Sequence, residues 1–256
     1  MPQIPDDSSE QSSIIKKLDF VENYLCFEEI ESTNSFAKEL KTFPSSGLIV
    51  IRALKQSGGR GRREKTFFSN HGGGLWISMV TPVKSISEHF IYNRALSLAV
   101  CETLKNINPQ INEKIKIKWP NDIYFGDRKI AGMLLENISH NPNVIIAGLG
   151  LNVNIMPEDF PAQLRKSATS ILIETGQILP VDTLLERILT AYWQFSKNGD
   201  MKNLHEQYVE NLYKKGYDAL VDSQQGKFLT VEEDGQLRMQ TTRGDLLRSG
   251  GTLTFL

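Results

Sequence analysis

The sequence predicts an α+β protein built on a largely antiparallel sheet. Three observations predict it. Strand-like runs follow one another through the middle of the chain with short turns between them. Helical spacing is confined to a few stretches and does not alternate regularly with strands, which argues against a βαβ array. From Ala219 onward short apolar runs alternate with turn residues, the pattern of a small all-β appendage.

Each element has its own local reason. Residues 1–13 are polar and acidic and read as a loose tail. Residues 13–27 are mixed, a short helix leading into a strand. Ser32-Thr33-Asn34 then precedes SFAKEL, a helix start with capping hydroxyls. Leu48 to Leu54 is apolar and short enough to be a buried strand. Ser57 to Lys65 is too polar for core. Gly72-Gly73-Gly74 opens into a second strand-like run, Leu75 to Val80. Residues 94–107 carry helical apolar spacing over about four turns. In Lys114 to Trp119, Ile115 and Ile117 alternate with Lys116 and Lys118, as in a half-buried strand. Ile123-Tyr124-Phe125 and the run Ile130 to Leu135 flank Gly126-Asp127-Arg128, a hairpin signature. Val144 to Val153 is an apolar, glycine-punctuated strand. Residues 182–197 and 200–213 have helical spacing. Beyond Ala219 the turn signals are Gln225-Gly226, Asp234-Gly235 and Gly250-Gly251.

Composition bounds the function. Of 256 residues, 40% are hydrophobic and 23% charged, which excludes a disordered chain or a disulfide scaffold. Lys+Arg is 29 and Asp+Glu is 30, so any electrostatic attraction for an anion has to be local. The two cysteines, Cys26 and Cys101, form no CxxC and fit a reducing compartment. No apolar run reaches the ~18 residues of a membrane span, and the N-terminus has no signal-peptide core. The expectation is a cytoplasmic protein away from membranes.

Four segments carry chemistry. Between Arg52 and Lys65 six basic residues face one acidic one, and glycines interleave with the arginines. Glycine allows close backbone approach, and arginine supplies forked donors matched to phosphate or carboxylate. Read alone, this loop is an anion site, a solvated surface loop or a nucleic-acid contact. It is not a Walker loop, since GxxxxGK[ST] is missing. Lys118-Trp119-Pro120-Asn121-Asp122 ends a strand at proline and sets an amide and a carboxylate at its edge. Read alone, an ordinary Pro-Asn-Asp turn is the better account. Lys129, opening an apolar strand with Gly132 inside it, points into a pocket or snorkels to solvent. Gly148-Leu149-Gly150 with Asn152 lacks the third glycine of a dinucleotide turn, so glycines beside a ligand are the better account. The four histidines show no metal-ligand spacing, and neither GxSxG nor HExxH is present.

Taken together, GRGRR, GLWISM, KWPNDIY, DRKIAGMLLE and AGLGLNVN, in this order, resemble the biotin protein ligases, also called biotin–[acetyl-CoA-carboxylase] ligases. The resemblance runs from about Ser32 to Asn154, with a weaker echo from about Ala219 to Leu256. It implies a mixed-sheet catalytic domain like that of class II aminoacyl-tRNA synthetases, over residues 14–213. A small C-terminal SH3-like β-barrel would occupy 214–256. It implies that biotin and Mg-ATP give biotinyl-5′-AMP, and that biotin then passes to a lysine of a biotin carboxyl carrier domain. Ser32, Thr33, Asn34 and Gln56 match residues that line the biotin site. Gly59, Arg60, Gly61, Arg62 and Arg63 match the glycine-arginine loop, with Arg60 and Arg62 facing the biotin carboxylate and the phosphates. Trp119, Asn121 and Asp122 match the segment beside the adenylate. Lys129 matches the lysine on the carboxylate and acyl-phosphate oxygens. Gly132 matches a glycine packed on biotin, and Asn152 an asparagine near the nucleotide.

By this resemblance Arg60, Arg62, Lys129 and Asp122 are the catalytic residues, Asp122 orienting or deprotonating the acceptor amine. No protein-held metal is expected, with Mg²⁺ arriving on ATP. Glu64 and Phe67 depart from a usual glycine and tryptophan, and Gly72-Gly73-Gly74 from a usual Gly-x-Asn. The glycine triplet is similar to that of lipoate ligases, which leaves a lipoate or octanoate ligase as the alternative acyl chemistry. A nucleic-acid-binding protein using the arginine loop is the third reading. Some members of the family carry an N-terminal winged helix-turn-helix. About thirty residues precede Ser32, so the short form is expected, without DNA binding. A homodimer is left open.

Overall fold

The computed structural model describes residues 14–85, 88–107, 109–197 and 200–256, so the expected tail at 1–13 lies outside the described residues. Its larger sheet has seven strands. They are β1 (Val21–Ile30), β2 (Leu48–Gln56), β3 (Gly74–Pro82), β4 (Ile115–Lys118), β5 (Asp122–Phe125), β6 (Arg128–Ile138) and β7 (Asn141–Asn152). The spatial order is β1-β2-β3-β7-β6-β5-β4. β1 and β2 are parallel, bridged by α1 (Thr33–Lys38), and every other neighbour is antiparallel. The expected hairpin forms between β5 and β6, with Gly126 at φ +57° in its turn.

The two faces of this sheet separate packing from chemistry, because alternate residues of a strand point to opposite sides. Ile77, Leu149 and Met133 stand side by side across β3, β7 and β6. They join the main apolar core with α2 (His89–Lys105) and α4 (Val181–Lys197). The helix expected over 94–107 thus begins five residues earlier, at His89. On the other face Ser78, Gly148 and Leu134 align, as do Trp76, Gly150 and Gly132. Three glycines on adjacent strands leave a shallow floor there.

After α3 (Ile171–Thr175), α4 and α5 (Met201–Glu210) comes a second sheet, all antiparallel. It contains β8 (Asp218–Val221), β9 (Gln224–Val231), β10 (Leu237–Thr241), β11 (Gly244–Arg248) and β12 (Leu253–Phe255). Its order is β11-β10-β9-β8-β12, and among the described residues no pairing joins β11 to β12. Ala219, Val221, Phe228, Leu237 and Leu253 are buried in the same core cluster as the larger sheet. Gln225-Gly226 is not the turn expected there; it lies inside β9. A side chain at 226 would meet the Gln240 carbonyl at 2.6 Å, so glycine serves a close strand crossing. The chain turns instead at Asp222, φ +52°.

The second sheet docks through the turn between β9 and β10. The Trp119 Nε1–H donates to the Gly235 carbonyl at 3.0 Å, and Arg94 donates to the Glu233 carbonyl. Gly235, at φ +90°, seats against the Phe90 ring of α2. Among the described residues no helix is long and apolar enough to cross a membrane.

Glu22 shows how a surface carboxylate fixes the entry to β2. It accepts the backbone N–H groups of Ser46 at 2.8 Å, Gly47 at 2.6 Å and Ser45 at 2.9 Å. These bonds lower its pKa from 4.5 to about 2. The side chain is exposed, so screening leaves about 1 kcal/mol of this as stability. Glu22→Gln is expected to cost that amount at pH 7. The folded value lies below the unfolded one, so the contribution is complete above pH ~4.5 and fades as pH falls towards about 2. Urea denaturation of both proteins across that range should show the gap closing; a constant gap would refute it.

Candidate active site

The glycine floor carries a cavity of about 220 Å³. All of the expected site residues except Gly59 and Asn152 line it. They come from four places that the fold brings together.

The first is the start of α1. Ser32 is the N-cap, its hydroxyl accepting from Ser35 N–H at 3.4 Å. Thr33 donates its backbone N–H and its hydroxyl to Gln56 Oε1, at 2.8 and 3.1 Å. Asn34 donates to the Leu134 carbonyl at 3.1 Å and to Glu136 at 2.9 Å. Thr33, Asn34 and Gln56 are all buried, so this polar group is preorganised. A Cβ on Gly148 would sit 2.3 Å from Asn34 Oδ1, so only glycine admits it.

The second is the arginine loop. Arg60 bridges to Thr66, and Gly61 N–H donates to the Lys65 carbonyl at 2.6 Å. Between them Arg62–Glu64 form a 3-10 turn, with Arg63 in the left-handed region at φ +53°. The arginines turn back onto the protein. Arg60 reaches Glu136 at 3.4 Å, and Arg63 reaches Asp222 of the second sheet at 3.0 Å. Arg62 lines the cavity. Gly59 supports the loop from behind: its carbonyl accepts the Phe67 N–H at 2.9 Å, and a Cβ would meet the Phe67 carbonyl at 2.5 Å.

The third is the strand end Lys118–Asp122. The Trp119–Pro120 peptide is cis. Asn121 donates its side-chain amide to the Met133 carbonyl, and its own carbonyl accepts the Met133 N–H at 2.8 Å. Trp119 lines the cavity while its indole N–H is committed to Gly235.

The fourth is Lys129, whose ammonium meets Asp122 at 2.7 Å and lies 5.3 Å from the Phe67 ring centre. Asn152 works at one remove from it. Asn152 donates to the Thr169 carbonyl at 2.8 Å, and Thr169 N–H donates to the Lys129 carbonyl at 2.9 Å. Asn152 therefore braces the backbone that carries Lys129 and does not touch the cavity.

The cavity's electrostatics favour an anion. Arg60, Arg62, Arg63, Lys65, Lys118 and Lys129 line it with the carboxylate of Asp122. Burial and the Arg63 charge lower the Arg62 pKa, against Asp122. Burial lowers the Lys118 pKa too; Asp122 opposes this, while Lys129, Lys214 and Lys65 add to it. Crowded cations of this kind gain stability when a polyanion enters. Among the described residues no group of three His, Cys, Asp or Glu could hold a metal by itself.

Comparison with known proteins places this geometry. The model of the biotin/lipoate A/B protein ligase family matches residues 26–154, half of the chain. The chain belongs to this family. The Bacillus subtilis bifunctional ligase/repressor BirA is 28% identical over 89% of this chain and 73% of its own length. The biotin–[acetyl-CoA-carboxylase] ligase of Paracoccus denitrificans is 28% identical over 64% of this chain and 70% of its own. The fold matches that of the Aquifex aeolicus biotin protein ligase, solved in complex with biotin and ATP. The TM-score is 0.76 at 25% identity, over 91% of this chain and 98% of that one.

In this biotin/lipoate ligase chain the structure adds residues that the motifs did not name. Ser78 hydrogen-bonds both Thr33 and Asn34. Glu136 gathers Asn34, Lys38 and Arg60. For Ser78 the signal was a lone polar residue in an apolar run, at the period that points to the floor; Glu136 shares that period with Gly132 and Leu134 but is followed by Asn137. Gly251, Thr252 and Leu253 of the second sheet complete the wall.

The departures also acquire reasons. The Phe67 ring lies over the floor, 2.4 Å from where a Gly150 Cβ would stand. Gly74 is required by Trp76, which is fully buried: a Cβ at 74 would lie 1.9 Å from its ring. Gly74→Ala must displace that ring and is expected to cost about 1–3 kcal/mol. Trp76→Tyr, a smaller ring, should recover part of the loss in the double variant. Equal melting temperatures for wild type and Gly74→Ala would refute the clash.

Proposed function

We propose that this protein is an ATP-dependent biotin protein ligase that activates biotin as biotinyl-5′-AMP and transfers it to a lysine of a biotin carboxyl carrier domain. One observation carries the reading. A single cavity joins a glycine-floored slot, with a preorganised polar clamp at Thr33 and Gln56, to a cluster of cations around Arg62 and Lys129. A small fused ring bearing a urea fits the clamp and floor. A carboxylate and a triphosphate fit the cations. The relatives' names point to biotin rather than lipoate.

In this reading the protein needs no nucleophile of its own. An oxygen of the biotin carboxylate attacks the α-phosphorus. The bond from that phosphorus to the β-phosphate oxygen breaks, and pyrophosphate leaves. Holding two anions in line contributes about 7–11 kcal/mol. Each preorganised donor to the developing charge adds about 3–4 kcal/mol. Arg60, Arg62 and Lys129 supply those donors. Mg²⁺, when bound with the nucleotide, would neutralise phosphate charge. Asp122, the carboxylate facing the cavity, suits an ion that takes one carboxylate plus phosphate oxygens and water. In the second step the carrier lysine nitrogen attacks the acyl carbon, the acyl–phosphate bond breaks and AMP leaves. Asp122 orients that amine and takes its proton.

The test uses purified protein, Mg-ATP and either biotin or lipoate, without an acceptor. Mass spectrometry is expected to find biotinyl-AMP with biotin alone. Lipoyl-AMP would move the activity to the lipoate branch of the family, and no adenylate with either acid would overturn the catalytic reading.

A further inference from the structure

We propose that Glu174 is a positioning residue for Lys129: it fixes the loop that stands in for a strand beside Lys129, and so holds the ammonium at the cavity. The inference rests on the ligase reading above and adds a residue to it.

The sheet by itself leaves Lys129 weakly placed. β7 pairs with β6 only from Ala131 onward, so Lys129 lies beyond the last rung on that side. On the other side the register with β5 slips. Tyr124 pairs with Lys129 and Ile123 with Ala131, which leaves Ile130 unpaired as a bulge. The missing rungs come from residues 167–169, which belong to no strand. The Lys129 N–H donates to the Ser167 carbonyl at 2.8 Å, and the Lys129 carbonyl accepts the Thr169 N–H at 2.9 Å. Together they make a short parallel bridge centred on Ala168.

A loop can set the height of Lys129 only if the loop is itself held. Asn152 secures the Thr169 carbonyl from β7. Glu174, in α3, secures the Thr169 side chain. Its Oε1 accepts the Thr169 hydroxyl at 2.5 Å and the Arg128 guanidinium at 2.6 Å. One carboxylate oxygen thus ties the residue before Lys129 to the residue that bonds the Lys129 carbonyl. Thr169 is 0% exposed and the Glu174 side chain 10%, so water is a poor substitute for this bond. Neither Glu174 nor Arg128 lines the cavity, so the effect on chemistry passes through Lys129. Removing the carboxylate strands the Thr169 hydroxyl in the interior and releases Arg128. The 167–169 loop then shifts, and the ammonium that meets Asp122 at 2.7 Å shifts with it.

The test is biotin-dependent pyrophosphate exchange by the full chain, with thermal melting to confirm that each variant is folded at the assay temperature. Glu174→Ala is expected to lower kcat/KM by at least about fivefold and up to about 100-fold, the scale of a donor misplaced by about 1 Å. Glu174→Gln keeps an acceptor for Thr169 and should lie at least about threefold above Glu174→Ala. Thr169→Val removes the hydroxyl alone and should lower kcat/KM at least about threefold, a route that does not depend on how well Glu174→Ala folds. The diagnostic is the background. In Lys129→Ala no ammonium is left to place, so adding either Glu174→Ala or Thr169→Val should cost less than about threefold more. A larger loss in that background would reveal a general structural role and overturn the inference. So would a smaller effect of either variant on the otherwise wild-type chain, or a smaller recovery by Glu174→Gln. A wild-type protein that catalyses no exchange would instead overturn the ligase reading, and the inference with it.

Discussion

Lys129→Ala is expected to lower the kcat/KM of adenylate formation by about 10²–10³-fold, equivalent to about 3–4 kcal/mol of lost transition-state stabilisation. Two effects add. The variant lacks a cation where charge develops on the phosphate. It also leaves Asp122 without its 2.7 Å partner, so a bare carboxylate faces the incoming triphosphate. Stability should barely move, because the side chain is 31% exposed and its partner 25%. Pyrophosphate exchange measures the rate, and thermal melting controls for fold. A fall of less than tenfold would mean that the Lys129–Asp122 pair is structural and that the loop arginines carry the charge alone.

Trp119→Ala is expected to cost about 3–5 kcal/mol of stability. The ring is 2% exposed, and its N–H holds the turn that docks the second sheet. Trp119→Phe keeps most of the apolar area but strands the Gly235 carbonyl, and should cost about 1–2 kcal/mol. The two variants separate packing from hydrogen bonding in urea denaturation. Equal losses would show that the Gly235 bond contributes nothing measurable.

The sequence made some of this legible and hid the rest for physical reasons. The β5–β6 hairpin was readable because its turn lies within a few residues of both strands. The arginine loop, the Lys118–Asp122 segment and Lys129 were readable as motifs, and the cavity collects them. Partners distant in the chain were not. Glu136 lies 102 residues from Asn34, and no local pattern encodes that meeting. Trp119 was expected beside a nucleotide, yet its N–H faces Gly235, 116 residues on. Gln225-Gly226 looked like a turn because glycine marks both turns and close strand crossings; only the register with β10 tells them apart. Gly59, expected in the glycine-arginine loop, and Asn152, expected near the nucleotide, do not line the cavity, since spacing fixes neighbourhood but not which way a side chain faces.

The Trp119–Gly235 bond also imposes an order in time. During synthesis the four groups of cavity residues from the larger sheet all emerge before residue 235. At about 5–20 residues per second the gap between Trp119 and Gly235 lasts on the order of 6–20 s. Throughout that interval the indole N–H lacks its Gly235 acceptor, and the Gly251–Leu253 wall does not yet exist. A nascent ligase can therefore assemble its substrate clamp early but closes its cavity only when nearly all of this chain has been made.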